Sequence, residues 1–338
     1  MDTLGRENPF CPSIPSQRIF ALLWQLELWM REMVYVELRA HHADWHSAMA
    51  SIVQDWPPRS QSSDKRLTHM STTHDSGVSY LSLGQLLTVI KHDDHWPRFQ
   101  SYFPPKEIFL ARMSEVSQVR HRIAHFRDPH ATDLERVLLF LTDLDQGFWR
   151  FATAYTPQKA ADGSVDSVDG YFAETHDRRA VVEMRALDGQ WRYASNRREP
   201  RLSFDLACSI RPGFESNGSS LVGRSGVVYH AWFNARRSRL LWDSVLKHTE
   251  PVHENCIHIR LEQTSIQVFV PSVIGHDRVV STIDRFLTQC IECSSPGELL
   301  DEQRAEEVAA KWPEYVLGPS HPLGCLDADT PCSIFAIA

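Results

Sequence analysis

Residues Pro104–Phe126, PPKEIFLARMSEVSQVRHRIAHF, decide how the first half of this chain folds. After the Pro104-Pro105 pair, Ile108, Phe109, Met113, Val116, Val119 and Ile123 recur at helical spacing. A helix is therefore expected from about Lys106 to His125, with an apolar stripe on one side. Proline suits the start, because N–H groups of the first turn have no partner inside the helix. Asp128-Pro129 should stop it, and Thr132 followed three residues later by Glu135 is a capping-box pattern. That pattern opens a further helix through Leu138, Leu141, Leu144, Phe148 and Phe151.

Toward the N-terminus, Phe20, Leu23, Trp24, Leu28, Met30, Val34 and Leu38 predict one long helix from Ser16 to about Met49. The polar run from Arg59 to Lys65 reads as an exposed loop within 57–77, and Leu81–Ile90 as another helix. Beyond a small, polar stretch at 156–169, expected to be a linker, the period changes. Residues 180–187 and 190–194 around Asp188-Gly189 predict a two-residue hairpin. Strands are expected at Leu202–Ile210, Val227–Phe233, Cys256–Leu261 and Ile266–Val270, with helices at Arg236–His248 and Arg278–Glu292. The expected fold is an N-terminal all-α helix bundle over 1–155 followed by a smaller α+β domain over 170–293. A last helix, Glu298–Lys311, and a tail over 294–338 complete it, with Ile334–Ile337 docking on a core.

Composition narrows the class. Hydrophobic residues make up 42% of the 338 and charged residues 23%, as in ordinary globular proteins, and the length favours two domains. The most apolar early segment, Ile19–Leu38, is interrupted by Gln25, Glu27, Arg31, Glu32 and Glu37, so no membrane span is expected. The start lacks the basic residues and apolar run of a signal peptide, and seven cysteines are an odd number for a disulfide framework. A cytoplasmic protein with reduced thiols is expected. A net charge of −8 argues against general affinity for nucleic acid, so any such contact must be local.

A local site of that kind is present in Arg120-His121-Arg122-Ile123-Ala124-His125. His121 and His125, four apart, share a helix face, with Arg120 and Arg122 beside them. Arg120 and His125 are five apart, a rotation of about 140° on a continuous helix, so their convergence needs a helix end or a second chain. Histidine is the natural proton carrier near neutral pH, and arginine is a permanently charged partner for phosphate oxygens. RNA cleavage by the 2′-hydroxyl could use this set without a metal or cofactor.

Arg120, a polar residue at position 121 and His125 resemble the motif of the HEPN superfamily, whose ribonucleases carry Arg, a polar residue, a short spacer and His. The likeness spans about residues 16–153, including the long first helix, and is nearest to bacterial HEPN proteins of the abortive-infection kind. It implies a homodimer with facing motifs that cuts an RNA substrate and leaves a 2′,3′-cyclic phosphate, in a toxin or phage-defence role. The catalytic residues would be Arg120, His121 and His125, and Arg122 and Arg127 would bind RNA. An antitoxin or regulatory partner is also implied. In one toxin branch a tyrosine stands two residues after the histidine and is the target of silencing; here that position is Arg127, which puts such silencing in doubt. HEPN domains also include non-catalytic interaction modules, so a dimerising module whose α+β domain binds a partner or effector is the alternative.

Other features carry less. Cys290 and Cys293 form a C-x-x-C in a predicted helix without a second pair at zinc-ribbon spacing, and His253, Cys256 and His258 fit buried polar side chains as well as metal ligands. Arg197, Arg198, Arg201, Arg236, Arg237 and Arg239 could form a basic surface or simply a solvated one. Glu27 and Arg31 fit either an ordinary surface pair or a buried pair that positions the motif helix.

Overall fold

The computed structural model describes residues 11–67, 69, 76–154, 168, 171–172, 185–187, 190–194, 202–214, 221–235, 239–295, 302–326 and 333–335. An N-terminal helical region, 14–153, precedes a region with a mixed sheet and helices. Two compact units result, interleaved in sequence: 1–34, 81–151 and 331–338 form one, and 35–80 with 152–330 form the other. The sheet-bearing unit, expected to be the smaller, is the larger, because the last turns of the first helix and the segment after it pack with the sheet. Among the described residues no helix is long and apolar enough to cross a membrane.

The helical unit holds the first part of α1 (Ile14–His41), then α4 (Leu83–Lys91), α5 (Trp96–Phe99), α6 (Lys106–Ala124) and α7 (Asp133–Thr153) to Phe151. No glycine or proline follows Pro15 in α1, and Ile19, Leu22, Leu26, Met30 and Met33 are buried. Phe20, Trp24 and Leu28, among the apolar residues whose spacing predicts the helix, are exposed, because α1 carries apolar residues on more faces than its unit covers. Ser82 opens α4 with a complete capping box to Gln85. Helix α6 runs almost as expected, burying Phe109, Met113, Val116 and Val119, while Ile108 points to solvent. Gly147 lets α7 approach closely, since a Cβ there would lie 1.7 Å from the Tyr102 carbonyl oxygen. The tail docks here: Asp145 Oδ1 accepts the Ile334 N–H and the Ser333 hydroxyl, both at 2.8 Å, and Phe335 meets Phe148 edge-on. Ala336 and Ile337 lie outside the described residues.

The other unit is built on seven strands in the order β1 (Arg185–Leu187), β2 (Gln190–Ala194), β3 (Leu202–Ile210), β4 (Val227–Ala235), β7 (Ser265–Pro271), β6 (His258–Leu261) and β9 (Val316–Leu317). All pairs are antiparallel except β6 with β9. Leu187 opposes Gln190, the register of the expected hairpin. Alternate residues Phe204, Leu206, Ala231, Phe233, Ile266 and Val268 form one core with Ile283 and Phe286 of a long helix, α9 (His276–Glu292). Every residue of β7 is buried, as a strand covered on both faces should be. Tyr35 stacks on His258 at 5.1 Å, and its hydroxyl donates to the Ile257 and Glu314 carbonyls.

Three elements differ from expectation for local reasons. The long first helix ends at His41, and α2 (Trp45–Ala50) restarts under Asp44, whose carboxylate accepts the Ser47 N–H. The polar run at 59–65 is not an open loop but holds α3 (Arg59–Asp64). The helix expected from Arg236 begins only at Trp242 as α8 (Trp242–Thr249), because β5 (Arg239–Leu240) pairs with β8 (Ser294–Ser295). Two short helices, α10 (Glu302–Ala309) and α11 (Pro322–Cys325), follow. The expected linker 156–169, apart from Val168, lies outside the described residues, as do Arg197, Arg198, Arg201, Arg236 and Arg237.

Candidate functional site

All five predicted site residues stand at the C-terminal end of α6. Ala124 is its last helical residue, and His125 is the cap, with its N–H directed at the His121 and Arg122 carbonyls at 3.2 Å. The Phe126 N–H reaches the Ile123 carbonyl at 3.1 Å and the Arg127 N–H reaches that of Arg122 at 3.0 Å. This is the Schellman pattern, which satisfies the last carbonyls through a residue in the left-handed conformation. That residue is Phe126, at φ 55°.

The helix period divides the predicted residues. The rings of His121 and His125 lie 4.4 Å apart, tilted by 59°, and both residues are exposed. Arg120 turns instead to α1: its Nη2 is 3.8 Å from Glu27 Oε2, an ion pair too long for a hydrogen bond. Glu27 Oε1 is held firmly by Arg31 at 2.6 Å, and Arg31 also donates to the Leu81 carbonyl at 3.0 Å. Burial is the main influence drawing the Arg31 guanidinium below its ordinary value; Glu27 opposes that shift and Arg120 adds to it. The Glu27–Arg31 pair is partly buried, between the two readings of it, and meets the motif helix through the loose Arg120 contact.

These three charged groups line a cavity of about 200 Å³ with Phe20, Leu23 and Trp24 of α1 and Ile123 and Ala124 of α6. Two guanidinium groups share one carboxylate, so the cavity carries a net positive charge next to an exposed apolar wall, Phe20, Trp24 and Leu28. An anion at its mouth could draw Arg120 from its loose contact without disturbing Arg31.

Arg122 is placed differently from the RNA-binding role expected of it. It pairs with the buried Asp133 carboxylate at 3.0 Å, and the same oxygen accepts the His130 N–H, so Arg122 fixes the turn between α6 and α7. Arg127 is exposed. Phe126 was not singled out by sequence reasoning, although one signal was available. A helix that ends just before Asp128-Pro129 commonly closes through a left-handed residue, and no glycine or asparagine stands there.

The metal alternative at His253 and Cys256 meets other commitments: His253 Nε2 lies 3.0 Å from the Thr249 hydroxyl, and the Cys256 thiol donates to the Val252 carbonyl. No family model matches the chain, and no curated protein or solved structure matches it.

Proposed function

We propose that the helical unit is a metal-independent endoribonuclease of HEPN type, acting as a homodimer in the cytoplasm as a toxin or phage-defence effector. His125 takes the proton of an RNA 2′-hydroxyl as the O2′–P bond forms. His121 supplies a proton to the 5′-oxygen as the P–O5′ bond breaks, and Arg120 stabilises the charge on the phosphorane oxygens. The products are a 2′,3′-cyclic phosphate and a free 5′-hydroxyl. The observation that carries this reading is the paired, exposed His121 and His125 at a helix end, with a loosely held arginine directly before His121. The exposed Phe20, Trp24 and Leu28 favour burial against a second copy, which would bring two sets of these groups together. The sheet-bearing unit would select RNA or answer to a regulatory partner, including an antitoxin.

The same exposed apolar wall also favours a second reading, a dimerising interaction module without chemistry. The two are separated by incubating a mixed RNA panel with the wild-type protein and with His125→Ala in EDTA and analysing product ends. Cleavage by the wild type alone, with cyclic phosphate ends, is the expected result. Failure of both proteins to cut any RNA would count for the interaction module.

A further inference from the structure

We infer that Phe126 is a stacking platform for a base of single-stranded RNA whose phosphate lies against His121, His125 and Arg127. The inference rests on the ribonuclease reading but concerns how the substrate is held.

A side chain at φ 55° is strained for phenylalanine, and glycine or asparagine would close the same Schellman turn with less strain. Strain of this kind is usually recovered through packing. Here it is not, because Phe126 is 99% exposed and has no aromatic or cationic ring neighbour among the described residues. The left-handed turn fixes the root of an aromatic ring at the helix terminus, one residue beyond His125. An outlier of this type one residue beyond His125, at a chemically equipped helix end, points to function.

The surroundings decide which ligand suits the ring. His121, His125 and Arg127 are exposed within five positions of the ring in sequence, so groups able to donate hydrogen bonds to a phosphate leave the same helix end as the aromatic side chain. A flat apolar face beside a guanidinium and two imidazoles complements a nucleobase with its phosphate, and single-stranded RNA is the form whose bases are available for stacking. An apolar protein pocket would suit the ring but not the polar groups beside it.

The test uses the full-length protein and a fluorescent 2′-O-methyl oligonucleotide, single-stranded and resistant to 2′-hydroxyl attack, with 2-aminopurine as a stacking reporter. Anisotropy should show binding weakened by about 10-fold or more in Phe126→Leu, which keeps apolar bulk but has no ring, and restored in Phe126→Trp. Quenching of 2-aminopurine should accompany binding by the wild type and be lost in Phe126→Leu. Equal binding by wild type and Phe126→Leu would overturn the stacking role while leaving ribonuclease activity standing. Absence of RNA binding by the wild type would overturn both. A Phe126→Leu protein whose monomer–dimer balance shifts in size-exclusion chromatography while its RNA affinity is unchanged would make the ring a protein contact. Ring-dependent RNA binding in a wild-type protein that never cleaves would keep the platform and remove the nuclease.

Discussion

Replacing Arg211 by methionine should destabilise the sheet-bearing unit by about 3–5 kcal/mol, and replacing Glu37 as well should recover most of the loss. Both side chains are wholly buried, and Arg211 Nε and Nη2 donate to Glu37 Oε1 at 2.9 and 2.6 Å. The other carboxylate oxygen lies 3.4 Å from His41 Nε2, and His41 Nδ1 meets the Ser225 hydroxyl at 2.7 Å. Burial by itself would raise the Glu37 carboxyl, but Arg211 and His41 together outweigh it and hold it below the ordinary carboxylate range. Its stabilising contribution is therefore present above the unfolded value near 4.5 and is lost as pH falls below it. Without Arg211 the burial effect prevails and the sign reverses: the folded carboxyl rises above its unfolded value, so the penalty should shrink between pH 7 and pH 5. Urea unfolding at both pH values, followed by tryptophan fluorescence for wild type, Arg211→Met, Glu37→Met and the double variant, measures the coupling. A double variant as unstable as the sum of the two single ones, or a penalty independent of pH, would refute the reasoning.

Phe126→Gly should raise stability by about 0.5–1 kcal/mol: relief of about 1–2 kcal/mol for a left-handed non-glycine residue, less about 0.5–1 for glycine's added chain freedom. A lower thermal midpoint would mean that the ring packs against something in the free protein. Burial and the charge of Arg211 hold His230 down to about 3, and burial holds His253 at about 4, so both stay neutral in the fold where the unfolded chain takes up protons. Their stabilisation is present above pH 6.5 and is lost as pH falls toward 3–4, at about 1.4 kcal/mol per pH unit for each histidine. His230→Gln should lower the slope of stability against pH between 6 and 5 by about one proton, and an unchanged slope would count against a neutral His230.

Legibility in the sequence followed the range of the interactions. Helix α6 and strand β3 could be read almost to the residue, because periodicity and turn chemistry are local and both elements bury one face. The break after His41 was missed because Asp44 lies inside an otherwise helical pattern, and nothing in spacing says whether a cap or the continuing helix prevails. At the site, His121 and His125 came together as their four-residue spacing requires, and Arg120 turned away as its five-residue offset implies. The attachment of Arg122 to Asp133 and the pairing of Glu37 with Arg211, 174 positions apart, could not be read, because tertiary packing chooses those partners.

Helix α1 serves both units: its residues through Val34 count with the helical one, and from Tyr35 onward with the sheet-bearing one. The chain then passes to the helical unit at 81, back at 152 and returns once more for its last residues. A gene crossover near codon 155 would thus transfer no intact module. The upstream product would carry Glu37 without Arg211 and Asp145 without the tail residues it binds, and the downstream product would have a sheet without Tyr35 and Arg39. Recombinant fragments of such a chain should be drawn along the units rather than along the sequence.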